Sequence, residues 1–231
     1  MSSFRFKQFK VEQDGVAMKV GTDGVLLGAW ADCSSASSIL DIGTGTGLIA
    51  LMVAQRSMAQ RIVGIDVDAA AVECATANFA ASPWAERLAA VECAAQKYDG
   101  EKFDLILSNP PYFVDSLHSP DGQRTVARHT TELTFETLDC SVCRLLADGG
   151  RFALILPTEQ MEYYLSITKL NLVRRCDVIT VLGGETKRVM AELTADRVDV
   201  PTVESVVIEN GARGDYNAQY RELTKDFYLK F

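Results

Sequence analysis

An α/β fold built on a doubly wound, mostly parallel sheet is the architecture this sequence predicts. Short apolar strand patterns alternate with amphipathic helical ones along most of the chain, as βαβ units require. One of those strands, Ile39-Leu40-Asp41-Ile42, runs into the glycine triad Gly43-Thr44-Gly45-Thr46-Gly47. Another, Phe103-Asp104-Leu105-Ile106-Leu107-Ser108, stops at Asn109-Pro110-Pro111-Tyr112. In an open α/β sheet the carboxyl ends of the strands are where ligands sit.

Taken in order, Phe4-Arg5-Phe6-Lys7 alternates apolar and basic residues and reads as a strand, with a helix near Asp23 to Trp30 after it. Strands are expected at 38–42, 61–66, 88–93, 103–108 and 150–156, and helices near 47–57, 68–81, 133–147 and 159–170. Asp148-Gly149-Gly150 stops a helix and turns the chain into the next strand. Apolar runs at 172–182 and 189–194 flank Gly183-Gly184 and read as an antiparallel pair. The tail holds one more strand, Val203 to Ile208, and a polar, helix-like end. Residues 112–132 form the longest stretch without a period, with Tyr112, Phe113, His118, Arg124, Arg128 and His129 within it. A loop of that length inside a compact domain is usually functional or mobile. Residues 1–231 are expected to form a single domain, with 1–37 a strand and helix extension and a candidate RNA contact.

Composition narrows the function classes. No apolar stretch approaches the ~18 residues that a membrane span needs. The opening residues lack the apolar core and cleavage site of a secretory signal, so a cytoplasmic protein is expected. Of the six cysteines, Cys74 and Cys140 fall in predicted helices and Cys93 at a strand end. The C-x-x-C at Cys140-Ser141-Val142-Cys143 has no second pair or paired histidines, so no metal is expected. The formal net charge of −8 opposes simple polyelectrolyte attraction to RNA. Locally, Arg5, Lys7, Lys10 and Lys19 interleave with Phe4, Phe6 and Phe9. That pattern suits backbone contact with base stacking, and equally an edge strand with a solvated cationic face. Oligomeric state is not legible, and a monomer is the default.

The two strand ends carry the chemistry. Consecutive prolines cannot extend a sheet, because neither has an N–H to donate. They leave the Asn109 carboxamide and the Pro110 carbonyl as acceptors for both hydrogens of a planar –NH₂ group, with the Tyr112 ring to stack on its π system. The glycines permit a tight turn and close backbone approach to a ligand. Arg61-Ile62-Val63-Gly64-Ile65-Asp66 ends in a carboxylate able to accept from ribose hydroxyls. Asp68 suits the following helix cap better, which leaves Asp66 for the ligand.

Together these residues resemble a class I, Rossmann-like, S-adenosyl-L-methionine-dependent methyltransferase, and the tetrad resembles the signature of enzymes acting on adenine N6 or a glutamine amide. Further segments resemble the tRNA(Val) (adenine-37-N6)-methyltransferase family: Met18 through Trp30, Ser82-Pro83-Trp84-Ala85-Glu86-Arg87, Ala127-Arg128-His129, and the ending from Asp215 to Leu229. The resemblance implies a seven-stranded sheet with one antiparallel strand. It implies a cofactor site of Asp41, Gly43, Gly45, Gly47, Asp66, Ala94 and Asn109, and catalysis by Asn109, Pro110, Pro111 and Tyr112. Substrate contact is implied for Lys19, Thr22, Tyr112, Phe113, Arg128 and His129, with a tRNA anticodon loop as partner. One departure stands out: many relatives carry an Asp after the third strand that accepts from the cofactor's adenine, and Ala94 holds that position here, with backbone groups or Gln96 as the expected substitutes. A glutamine-N5 methyltransferase shares the tetrad but usually has an added helical domain, and only residues 1–37 precede the first cofactor strand. A DNA adenine methyltransferase and a catalytically silent RNA-binding factor are the other readings.

Overall fold

The structure, a computed structural model, describes residues 3–16, 19–111 and 133–230. Its elements in chain order are β1 (Ser3–Arg5), β2 (Lys10–Glu12), α1 (Thr22–Trp30), β3 (Ser38–Ile42), α2 (Leu48–Arg56), β4 (Arg61–Asp66), α3 (Ala69–Ala80), β5 (Leu88–Glu92), β6 (Phe103–Ser108), α4 (Phe135–Leu145), β7 (Leu146–Pro157), α5 (Thr158–Ile167), β8 (Asn171–Val181), β9 (Thr186–Thr194), β10 (Thr202–Glu209) and α6 (Ala218–Thr224). Eight strands form one sheet in the order β10-β8-β9-β7-β6-β3-β4-β5. Only β9 runs antiparallel to its neighbours, β7 and β8. The expected seven strands are there, and the tail strand β10 adds an eighth by pairing in parallel with β8.

Alternation explains the layers. Successive residues of a strand point to opposite faces. Leu105 and Leu107 join one apolar cluster with α1 and α2, while Ile106 joins the other with α4 and α5. Both faces are thus covered, which is why β6 reads as a continuous apolar run rather than an alternating one. β1 and β2 form a separate two-stranded ribbon. Its Phe6 and neighbouring Phe9 stack at 4.7 Å and are buried in the α1/α2 cluster, so these rings serve the core. Arg5, Lys7 and Lys10 remain exposed.

One boundary differs from the sequence reading. Helix α4 ends at Leu145, and β7 starts at Leu146 rather than 150. The pairing jumps from Phe103↔Leu146 to Leu105↔Arg151. Residues 147–150 therefore bulge out of the ladder, and Gly149 at φ +75° makes the turn that Asp-Gly-Gly signals. Among the described residues no helix is long and apolar enough to cross a membrane.

Candidate active site

Strand progression reverses between β3 and β6, the point at which open α/β sheets bind ligands. The pairings Ile42↔Ser108, Ile42↔Ile65 and Asp66↔Glu92 bring the carboxyl ends of β6, β3, β4 and β5 side by side. The Ser108 hydroxyl fixes the first pair by donating to the Ile42 carbonyl at 2.9 Å.

The glycine loop turns over these ends. Gly43 and Thr44 donate their amides to the Ile65 carbonyl at 2.9 and 3.0 Å. Gly43, Gly45 and Gly47 all have positive φ, a backbone that side chains rarely tolerate. At Gly47, which starts α2, an added Cβ would also lie 2.4 Å from the Phe79 ring. At Gly43 and Gly45 nothing lies within 4 Å of where a Cβ would stand. That space belongs to a cavity of about 350 Å³ whose walls include Gly43, Gly45, Asp66, Val67, Gln96 and Asn109.

Three carboxylates meet here in different states. Asp41 is fully buried beneath the loop; its Oδ2 accepts from the Thr44 hydroxyl at 2.7 Å, and its Oδ1 has no hydrogen-bond partner among the described residues. Burial pushes its carboxyl up to about 7, the Thr44 hydroxyl and the nearby Ala50 amide opposing the rise and the charge of Asp66 adding to it. Asp68 caps α3 by accepting from the Ala70 amide at 3.0 Å. Asp66 lines the cavity, yet it also accepts from the Gly45 amide at 2.9 Å and the Asp68 amide at 3.0 Å. Each of its oxygens keeps a second lone pair for a ligand.

Of the residues assigned from the sequence, Gly43, Gly45, Asp66, Asn109 and Pro111 line the cavity. Asp41 and Gly47 shape the loop from beneath and behind. Pro110 is buried beside the wall. Ala94 is not in the wall, but Cys93, Ala95 and Gln96 around it are. Lys19 and Thr22 are exposed before and at the start of α1. Tyr112, Phe113, Arg128 and His129, like His118 and the rest of 112–132, lie outside the described residues.

Val67 and Val16 are among the wall residues that the sequence does not assign. Val67 is 63% exposed, an apolar side chain between two acids at a strand end, which was a legible signal. Val16 reaches the cavity from a link with no period, and no local pattern marks it. It is carried there by the ribbon, which Asn78 of α3 anchors. The buried Asn78 carboxamide accepts from the Glu12 amide and donates to the carbonyls of Glu12 and Thr46, each at 2.9 Å. One side chain thereby ties the N-terminal segment to the glycine loop.

The donor set fits a nucleoside bearing an amino acid. Open space at two glycines admits a close backbone approach, Asp66 suits a ribose, and apolar faces suit a base. Among the described residues no group of three or more His, Cys, Asp or Glu is placed to hold a metal. Fold and site together define a class I S-adenosyl-L-methionine-dependent methyltransferase.

Comparison with known proteins agrees. The family model for the methyltransferase small domain matches residues 21–161. The tRNA1(Val) (adenine(37)-N6)-methyltransferase of Bacteroides thetaiotaomicron is 46% identical, over 98% of this chain and 97% of its own. That of Phocaeicola vulgatus is 49% identical over 98% and 97%. A solved structure from Agrobacterium tumefaciens, of a predicted O-methyltransferase, superposes with a TM-score of 0.69 at 15% identity, over 89% of this chain and 96% of that one, a likeness of fold. The chain belongs to the tRNA1(Val) (adenine(37)-N6)-methyltransferase family.

Proposed function

We propose that the protein methylates N6 of adenine 37 in a valine tRNA, with the tetrad at the end of β6 as the catalytic site. The observation that carries this reading is Asn109 on the same cavity wall as Gly43, Gly45 and Asp66. When bound, S-adenosyl-L-methionine supplies an electrophilic methyl group on a sulfonium. An adenine amino group is a weak nucleophile because its lone pair is delocalised into the ring. The Asn109 carboxamide oxygen and the Pro110 carbonyl accept its two N–H bonds and turn the lone pair toward the cavity. The same acceptors stabilise positive charge as it develops on nitrogen, and they are oriented before reaction begins. Proton loss afterwards goes to water, so no dedicated base is required. Tyr112 stacks on the base, and Pro110 and Pro111 keep the acceptors rigid.

The target base must leave its stack to reach such a pocket, which costs little in a single-stranded anticodon loop. Exposed Arg5, Lys7, Lys10 and Lys19 on the N-terminal extension supply backbone contacts that the acidic remainder lacks. A tRNA substrate implies work in the cytoplasm. Replacing Asn109 by Ala is expected to lower the single-turnover rate on valine tRNA by two or more orders of magnitude, as removal of a transition-state hydrogen-bond partner typically does. Affinity for S-adenosylhomocysteine should change less than threefold. Turnover at the wild-type rate in that variant removes Asn109 from the mechanism.

A further inference from the structure

The cavity has one end whose polar partner is unassigned. Asp66 ends β4, and β5 is the next strand outward, so Cys93, Ala95 and Gln96 form the wall beyond the ribose position. This end is apolar on its faces. Val67 stands 63% exposed, Ala71 and Ala95 are buried, and all three line the cavity. An exposed valine inside a cleft calls for a flat apolar group to cover it.

The polar side chains near this end are few. Asp68 is engaged as a helix cap, and the Cys93 thiol faces the Ala94 carbonyl at 3.4 Å. Gln96 remains, exposed at the rim, with no hydrogen-bond partner among the described residues. Its carrier is held firmly. Arg144 of α4 donates to the Ala95 carbonyl at 2.9 Å and the Tyr98 carbonyl at 2.7 Å, bracing the 3₁₀ turn Ala95–Lys97. A carboxamide presents an acceptor and a donor together. Adenine presents the complement, an N6–H donor beside a ring-nitrogen acceptor, and Gln pairs with it in bidentate fashion.

We propose that Gln96 reads the adenine edge of the cofactor, in place of a carboxylate, with Arg144 as the positioning residue that fixes its turn. The proposal rests on the cofactor and not on the RNA substrate. It is tested by calorimetry on the full chain without tRNA. Two ligands are compared: S-adenosylhomocysteine and its analogue with unsubstituted purine, which lacks the exocyclic amino group. Wild type should prefer the first by about tenfold, which is about 1.4 kcal/mol. Gln96→Ala should lose about tenfold more for S-adenosylhomocysteine than for the analogue, which keeps only the ring-nitrogen bond, so that the preference disappears. Arg144→Ala should weaken the preference in part. A Gln96→Ala variant that keeps the wild-type preference, or that loses both ligands equally, overturns the assignment, as does a wild type without preference. Failure to methylate a valine tRNA would leave these binding results untouched.

Discussion

The two wings of the sheet solve opposite problems. On the β7-β9-β8-β10 wing nearly every charge is answered. Glu192, 4% exposed, holds Arg174 with both oxygens at 2.9 and 3.2 Å and accepts the Asp32 amide at 2.7 Å. The Arg174 guanidinium lies 4.0 Å from the centre of the Trp30 ring, whose N–H donates to Glu204 at 2.6 Å. This network joins α1 to three strands. On the β3-β4-β5 wing the strand ends stay open: Gly43, Gly45 and Gly47 turn at positive φ, and Gly43, Gly45, Asp66 and Val67 line a cavity. One wing is built to be complete alone and the other to be completed by a ligand. Stability and binding are therefore expected to respond to different residues.

The strongest test of that division is Glu192→Ala. It strands the Arg174 charge and the Asp32 amide, and should cost about 3 kcal/mol in denaturant unfolding. Cofactor affinity, measured where the variant is folded, should stay within twofold of wild type. Next comes Asp41→Asn. The folded carboxyl at about 7 lies above its ordinary 3.8, so the stability it contributes is full below pH 3.8 and lost as pH rises through 7. The Asn variant lacks that loss. Its unfolding free energy relative to wild type, without cofactor, should rise by roughly 2 kcal/mol between pH 5 and pH 8. A pH-independent difference would mean that Asp41 is not the titrating group. Gly47→Ala forces a positive φ and a clash with Phe79, and should cost roughly 2 kcal/mol while also weakening S-adenosylhomocysteine. The smallest effect is expected at the exposed Lys187–Glu185 pair, 3.0 Å apart at the hairpin tip, where Glu185→Ala should leave the thermal melt unchanged.

Much of the binding wing was legible because its signals are local. β3, β4 and β6 carry continuous apolar runs and end in residues that forbid extension, so 38–42, 61–66 and 103–108 are read to the residue. Asp68 as cap and Asp66 as cavity acid follow from their order at a strand end. Asp66 is nonetheless less free than its position suggests, because the loop folds back so that Gly45 and Asp68 donate to it. Contributions from distant chain were not legible. Val16 and Asn78 act through contacts 66 residues apart along the chain, between Glu12 and Asn78, and neither sits in a motif. The aromatic-basic alternation at the N-terminus left two readings open. Burial of Phe6 and Phe9 assigns those two rings to the core, while Phe4 is half-buried and Arg5, Lys7 and Lys10 face outward.

The central claim, adenine N6 methylation at the tetrad, is tested most directly by incubating the purified protein with labelled S-adenosylmethionine and valine tRNA and analysing the digested nucleosides by mass. N6-methyladenosine is expected in the fragment that carries position 37, and none when that adenine is replaced by guanine or when Asn109 is Ala. Methyl transfer to any other nucleoside, or transfer that persists in the guanine-37 tRNA, would contradict that claim.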